Sequence, residues 1–270
     1  MPADTKFPPV TSAAPATGTQ PEGATSEAEA SGKVREMFTQ IAPRYDLLNH
    51  VLSMQLDRLW RARVARRLRP ILNRPDALVL DLCCGTGDLA LSLARHAQAR
   101  ILGADFAHPM LVRAKEKSAD QSAAAKIRAI PFLEADALRL PFASDSFDAV
   151  TAAFGFRNLA NYERGLREIH RVLKPGAAIA ILEFTEPPDS FLGNAYRWYF
   201  TNILPRIGGL LSGDPAAYKY LPASVSRFLR PGDLASLMTT VGYTSVQFQT
   251  WTFDTVALHL AKKINAALSQ

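Results

Sequence analysis

From Ala77 to Phe184 the chain alternates short apolar runs with amphipathic helical stretches, and that order admits few folds. ALVLDL (77–82) is an apolar run too short for a helix, closed by a Gly-rich turn. Runs of this kind read as strands buried on both faces, the habit of parallel sheets. DLALSLARHA (88–97) follows as a helix with Asp88 in its first turn, where the helix dipole favours an anion. RILGAD (100–105), part of IRAIPFLEAD (127–136), SFDAVTAAF (146–154) and PGAAIAILEF (175–184) repeat the strand pattern. HPMLVRAKEK (108–117), whose Pro109 suits a first turn, NYERGLREIHRVLK (161–174) and PGDLASLMTTVGY (231–243) repeat the helical one. SVQFQTWTFDTVALHLAKK (245–263) holds two strands with no helix between them, so one runs antiparallel. The expected architecture is α/β: a doubly wound, seven-stranded, mostly parallel sheet.

The flanks differ from this body. Residues 1–31 are mostly Ala, Pro, Thr, Ser, Gly and Glu, with one lysine against Asp4, Glu22, Glu27 and Glu29. They predict a disordered tail, and a chain lacking residues 1–31 is expected to stay active. The formal net charge is +6, so the excess of base lies in residues 32–270, read as one domain. Within it, residues 32–72 (helical, with a loop at 42–56) and 187–230 fall outside the alternation. Both are expected as helical lid elements over the carboxyl edge of the sheet. Adjacent Cys83 and Cys84 predict a reduced, cytoplasmic protein rather than a disulfide scaffold. No apolar run is long enough to span a bilayer. Residues 58–74 carry seven arginines and no acid, and Trp60, Val64, Leu68 and Leu72 make one apolar stripe. Such a helix packs its stripe in the core or rests on anionic lipid. Neither length nor composition decides whether the chain forms a homo-oligomer.

In open α/β sheets, ligands sit outside the carboxyl ends of the strands. The marker here is Asp81-Leu-Cys-Cys-Gly85-Thr-Gly87-Asp88. Gly85 and Gly87 allow a sharp turn and close approach of a ligand. Asp105 ends the second strand, where a carboxylate accepts from both hydroxyls of a ribose. Asp136-Ala137 follows the third, where a carboxylate accepts from an adenine amine. Two ligands fit. Gly85-x-Gly87-x-x-Ala90 with Asp105 matches a dinucleotide fingerprint. Asp81 at the end of strand one, Asp136, and the terminal strand pair favour S-adenosylmethionine, with Asp81 near its ammonium.

At these residues the chain resembles class I S-adenosylmethionine-dependent methyltransferases, and more narrowly the C-methyltransferases of menaquinone and ubiquinone biosynthesis, from about Gly32 to Lys263. Tyr45-Asp46-Leu-Leu-Asn49-His-Val-Leu-Ser53 with Trp60 resembles that family's first signature. Arg171-Val-Leu-Lys174-Pro175-Gly176 with Glu183 resembles its second, and FGFRN (154–158) and LPRIG (204–208) are family-like. The chain departs from the pattern at Asp57, Ala153 and Ala177. The resemblance implies donor binding at Thr86, Asp105 and Asp136-Ala137. It also implies a prenylated quinol as acceptor, and the Cys-Cys-Gly-Thr form is closer to the menaquinone enzymes than to the ubiquinone ones.

A ring carbon becomes an adequate nucleophile when an ortho hydroxyl loses its proton, so the acceptor must be the reduced quinol. Arg157 is a candidate to favour the phenolate, and Asp88 to hold a relaying water. Tyr45, Asp46 and Asn49 are candidates to close over donor and acceptor. His108, His170 and His259 read as caps or packing groups, and Cys83 and Cys84 as packing groups. No cluster has metal-ligand spacing, so no metal is expected. Ala152-Ala153-Phe154-Gly155 is not the Asn/Asp-Pro-Pro-aromatic run suited to a base amine, so nucleic acid is not the expected acceptor. A donor-binding scaffold and an NAD-binding oxidoreductase remain open at this point.

Overall fold

The computed structural model describes residues 18–46, 53, 55–125, 128–186 and 215–264. Its helices are α1 (Glu27–Ile41), α2 (Leu56–Arg67), α3 (Arg69–Leu72), α4 (Asp88–Ala94), α5 (His108–Ala125), α6 (Tyr162–Val172), α7 (Pro215–Arg227) and α8 (Pro231–Val241). Its strands are β1 (Leu78–Leu82), β2 (Arg100–Asp105), β3 (Phe132–Glu134), β4 (Phe147–Ala153), β5 (Leu173–Phe184), β6 (Tyr243–Trp251) and β7 (Val256–Lys263). They form one sheet in the order β3-β2-β1-β4-β5-β7-β6. The first five strands pair in parallel, and β7 runs antiparallel to both its neighbours. This is the expected doubly wound, seven-stranded sheet, with β3 only three residues long.

Alternation along each strand feeds two cores. Leu80, Leu82, Val150, Ile179 and Ile181 face the layer of α6 and α8. Val79, Ala149, Ala180 and Leu182 face the layer of α2, α4 and α5. Strand order reverses between β1 and β4, which opens a crevice at their carboxyl ends. Gly87, at φ +83°, caps α4, and a Cβ there would press on Phe132 Cζ at 3.0 Å. Gly103 in β2 gives way to the same ring, since its Cβ would lie 2.4 Å from Phe132 Cδ1.

Two expectations for the flanks are corrected. The segment read as tail contains ordered structure. Ser26 Oγ accepts from Glu29 N and caps α1, so the helix starts inside it. Residues 56–72 are not a lid over the carboxyl edge. The stripe Trp60, Val64, Leu68 and Leu72 is at most 3% exposed, because α2 and α3 cover one face of the sheet. They run from Phe184, beside Trp60, to the amino edge, where Leu72 O accepts from Ala99 N. Residues 187–214 of the second expected lid lie outside the described residues.

Candidate active site

The glycine turn, the ends of β2 and β4 and the loop after β3 enclose a pocket. Its wall includes Gly85, Asp105, Asp136, Ala137, Phe154 and Asn158. α1 contributes Ser31 and Phe38, and Tyr45 closes in above the turn. Tyr45 Cε1 lies 3.6 Å from where a Gly85 Cβ would be. Two stretches of strained backbone line the pocket. Cys83 and Phe154 are non-glycine residues at φ 53° and 59°, and Gly155 passes so close to Cys83 that a Cβ would meet Cys83 Cβ at 2.4 Å.

Asp105 is 6% exposed and locked from both sides. Its Oδ2 accepts from Gly85 N and its Oδ1 from Ala107 N, both at 2.9 Å. Burial still raises its pKa above the ordinary carboxylate range, against those backbone donors. Asp136 is exposed and accepts from Leu138 N at 2.9 Å, which fixes its short turn. Asp81 stands one strand over and is fully buried. Thr151 Oγ1 donates to its Oδ1 at 2.8 Å, while Oδ2 has no partner. Burial pushes the Asp81 carboxyl up to about 7; the Thr151 hydroxyl, the Ala90 backbone and, less, Arg61 offset this only in part. Burial also pushes the Cys83 and Cys84 thiols well above their ordinary value, which suits packing groups.

Behind the turn lies a chain of alternating charges. Arg61 pairs with Asp57 and, at 3.3 Å, with Asp88. Lys117 Nζ reaches Asp88 Oδ1 at 2.5 Å and Asp46 Oδ2 at 3.0 Å. Thr86 Oγ1 donates to Asp46 Oδ1 at 2.5 Å and accepts from Lys117 at 3.1 Å. Thr86 and Asp46 therefore bond to each other and join Asp88 through Lys117, and none of the three is part of the pocket wall. With a cation on each oxygen, Asp88 is poorly placed to relay a proton. Lys117 and Arg61 escaped the reading of the sequence. Lys117 continues the buried Met110 and Ala114 face of α5, and a lysine on that face was the available signal.

Arg157 is 5% exposed and is also committed inward. Its Nη1 donates to Glu183 Oε1 at 2.8 Å, its Nε to Ser224 Oγ at 3.3 Å, and its backbone N to Glu183 Oε2 at 3.2 Å. Burial opposes its charge most strongly, but the Glu183 carboxylate, with smaller contributions from Tyr220 and Tyr45, tips its pKa upward. It props the loop that carries Phe154 and Asn158 rather than lining the pocket. Asn49 lies outside the described residues. His170 and His259 pack as expected: Nε2 of buried His259 lies 2.9 Å from Pro231 O, and burial lowers its pKa to about 4. His108 sits 3.3 Å from Glu134. Among the described residues no three His, Cys, Asp or Glu stand together as a metal site.

The supposed tail also reaches the site. Thr19 N donates to Leu159 O at 2.8 Å, and Thr19 Oγ1 lies 3.0 Å from Tyr220 Oη, which donates to Asn158 Oδ1 at 3.0 Å. Gly18 abuts Ala160 so closely that a Cβ would lie 1.9 Å from its carbonyl carbon. Leu159 and Ala160 are pocket wall. Deleting residues 1–31, expected from the sequence to be harmless, is now expected to lower activity at least about tenfold. It removes this strap, the α1 cap and Ser31. Deleting residues 1–17 should leave activity intact. Steady-state rates of the two truncations check this; equal activity would show that the strap does not shape the pocket.

Comparisons with known proteins bear on the family and the fold. The chain is 48% identical to demethylmenaquinone methyltransferase of Thermus thermophilus over 228 residues, 84% of this chain and 100% of that one. It is 40% identical to the ubiquinone/menaquinone biosynthesis C-methyltransferase UbiE of Geotalea daltonii, covering 87% of this chain and 98% of that one. Among solved structures, a SAM-dependent methyltransferase from Thermotoga maritima superposes with a TM-score of 0.59 at 18% identity, covering 85% of this chain and 99% of that one; this likeness speaks for the fold. The model of the ubiE/COQ5 methyltransferase family matches residues 25–263, and the chain belongs to that family.

Proposed function

We propose that this chain transfers a methyl group from S-adenosylmethionine to a ring carbon of a prenylated quinol, with demethylmenaquinol as acceptor, the last step of menaquinone formation. The observation that carries the donor assignment is the single pocket wall shared by Gly85, Asp105 and Asp136-Ala137, past the ends of β1, β2 and β3. The residues fit the donor. Asp105 and Asp136 offer carboxylates to ribose hydroxyls and an adenine amine, and the orphaned Asp81 Oδ2 suits an ammonium. The donor supplies an electrophilic methyl on a sulfonium. The chain's task is to align a ring carbon with it and exclude water. Phe38, Tyr45, Phe106, Met110, Phe154 and Leu159 make the wall apolar and give a flat ring surfaces to stack on. In this reading Arg157 and Asp88 position the loop and the turn, and residues 18–264 work as one domain. The reduced thiols suit the cytoplasmic side of a membrane, where a prenylated acceptor resides; among the described residues no helix is long and apolar enough to cross it.

The acceptor follows the name of the Thermus thermophilus relative and the Cys83-Cys84 form of the turn. The second reading, C-methylation of a 2-methoxy-6-polyprenyl-1,4-benzoquinol in ubiquinone formation, follows the Geotalea daltonii name. Labelled S-adenosylmethionine offered with reduced demethylmenaquinone, beside the reduced benzoquinone precursor of equal tail length, tests both. Label in the naphthoquinol alone supports the first reading, and label in the benzoquinol alone replaces it with the second. Label in neither, with donor bound, removes both.

Asp81 gives donor binding a pH signature. Its buried carboxyl holds a proton up to about 7, against 3.8 for an ordinary aspartate. Below pH ~4 the proton is bound in both folded and unfolded chains. As pH rises to 7 the unfolded chain releases it first, so the free protein loses stability over that window. A bound ammonium favours the ionised form. Donor affinity should therefore climb toward pH 7, by at most about tenfold per unit, and fall once the donor's own amine deprotonates near roughly 7.7–8.0. Calorimetry across this range checks it, and Asp81→Asn should flatten the acid limb.

A further inference from the structure

We propose that the outer face of α2, together with the β6–β7 turn, docks this protein on an anionic lipid bilayer. While Trp60, Val64 and Leu68 go to the core, Leu59, Arg63 and Arg66 share the opposite face at helical spacing, with Arg67 beside them. All four are exposed, Leu59 by 57%. The strand pair is tied to this helix three times. Trp60 Nε1 donates to Thr252 Oγ1 at 3.1 Å, the Arg63 guanidinium lies 5.1 Å from the Trp251 ring centroid, and Arg67 Nη2 donates to Gln249 Oε1 at 2.7 Å.

The turn then thrusts Phe253 into solvent, 69% exposed. Thr252, Phe253 and Asp254 all have positive φ, at 54°, 57° and 61°. Three consecutive side-chain-bearing residues in the left-handed region are strained, and the burial of Phe253 gives little in exchange. Strained backbone that holds an aromatic ring in water, beside an exposed leucine and a row of arginines, marks a contact surface.

Charge and apolarity together select the occupant. The outer face of α2 carries arginines and no acid, because Asp57 turns inward to Arg61; Asp254 is the one acid of the turn. Arginines attract phosphate headgroups while a phenyl and an isobutyl group enter the acyl boundary. A nucleic acid would use the arginines but leave Leu59 in water. The surface also lies close to the pocket. Trp60 packs on Phe154 at 5.8 Å between ring centroids, and Phe154 is pocket wall. Docking here brings the pocket to the plane from which a long-tailed acceptor would enter. To that extent the inference rests on the proposed function, but docking itself is read without substrate.

The full chain is mixed with vesicles of equal phosphatidylglycerol and phosphatidylcholine, and with phosphatidylcholine alone, and sedimented. Binding to the anionic vesicles, weakened by salt, is expected. Arg63→Gln with Arg66→Gln should lower partitioning about 30-fold. Phe253→Asn, which keeps a residue tolerant of left-handed backbone, should lower it about tenfold with salt sensitivity retained. Both variants should methylate a short-tailed, water-soluble quinol at the unaltered rate and lose rate on a long-tailed quinol in vesicles. Equal partitioning of wild type and variants, no preference for anionic vesicles, or displacement from them by duplex DNA or an acidic protein at matched charge overturns the proposal. Vesicle binding that behaves as expected in a protein that methylates no quinol keeps the docking surface and removes the acceptor assignment.

Discussion

Replacing Arg157 by alanine is expected to cost about 3–5 kcal/mol of folding stability, because it strands a buried carboxylate. Glu183 is 1% exposed and takes Arg157 Nη1 at 2.8 Å on one oxygen and Arg157 N at 3.2 Å on the other. Without the guanidinium, one oxygen keeps little but the Phe184 N–H at 2.9 Å. For a chain of this size the loss corresponds to a melting point lower by roughly 10 °C. Turnover and donor affinity should fall together, since Phe154 and Asn158 of the pocket ride on the loop that Arg157 props. A loss of turnover alone, at unaltered melting temperature, would return Arg157 to a direct role on the acceptor. The pairing also makes a second variant informative. Arg157→Met combined with Glu183→Leu should regain most of the stability, because apolar groups of similar size replace a buried ion pair at little net cost. Thermal unfolding of the three proteins is the measurement.

Asp105→Ala should weaken donor binding by about 1.5–3 kcal/mol, roughly 10- to 150-fold, the range for hydrogen bonds to a charged group. The geometry adds a second consequence. Gly85 N and Ala107 N both lose their acceptor, so the glycine turn loosens and stability falls by about 1–3 kcal/mol as well. Asp136→Ala separates the two effects. Asp136 is exposed and its carboxylate accepts only from Leu138 N among the bonds described, so its loss should weaken the donor with little change in melting temperature. Calorimetric titration of S-adenosylmethionine beside thermal unfolding checks both. Unaltered donor affinity in Asp105→Ala would remove the ribose assignment.

These expectations separate what was legible in the chain from what was not. The glycine turn, Asp105 and Asp136-Ala137 were readable because each sits at the end of a strand that its own local pattern announces. Once the sheet is parallel, strand ends share one edge. Tyr45 was readable through a resemblance, and it does stand over Gly85. Thr86 and Asp46 were expected to face ligands, and the structure makes them partners of each other instead. Asp88 and Arg157 looked like free functional groups because nothing near them in sequence answers their charge. Lys117 lies 29 residues from Asp88, and Glu183 lies 26 from Arg157. The strap at residues 18–20 was missed for a similar reason. Its composition carries no core, and its order comes from Leu159 O, Tyr220 and Arg227, far along the chain.

The sequence by itself determined the layered sheet, the edge that carries the candidate site and the basic outer face of α2. Hydrophobic period, turn chemistry and helix face are local quantities, written within a few residues. Only the tertiary structure decided which charges meet a ligand and which meet each other. It also decided that the α2 stripe faces the core and that the ring of Phe253 faces water. Hydrogen bonds and ion pairs act over about 3–4 Å, and which groups come within that reach is set by segments that the chain brings together from far apart.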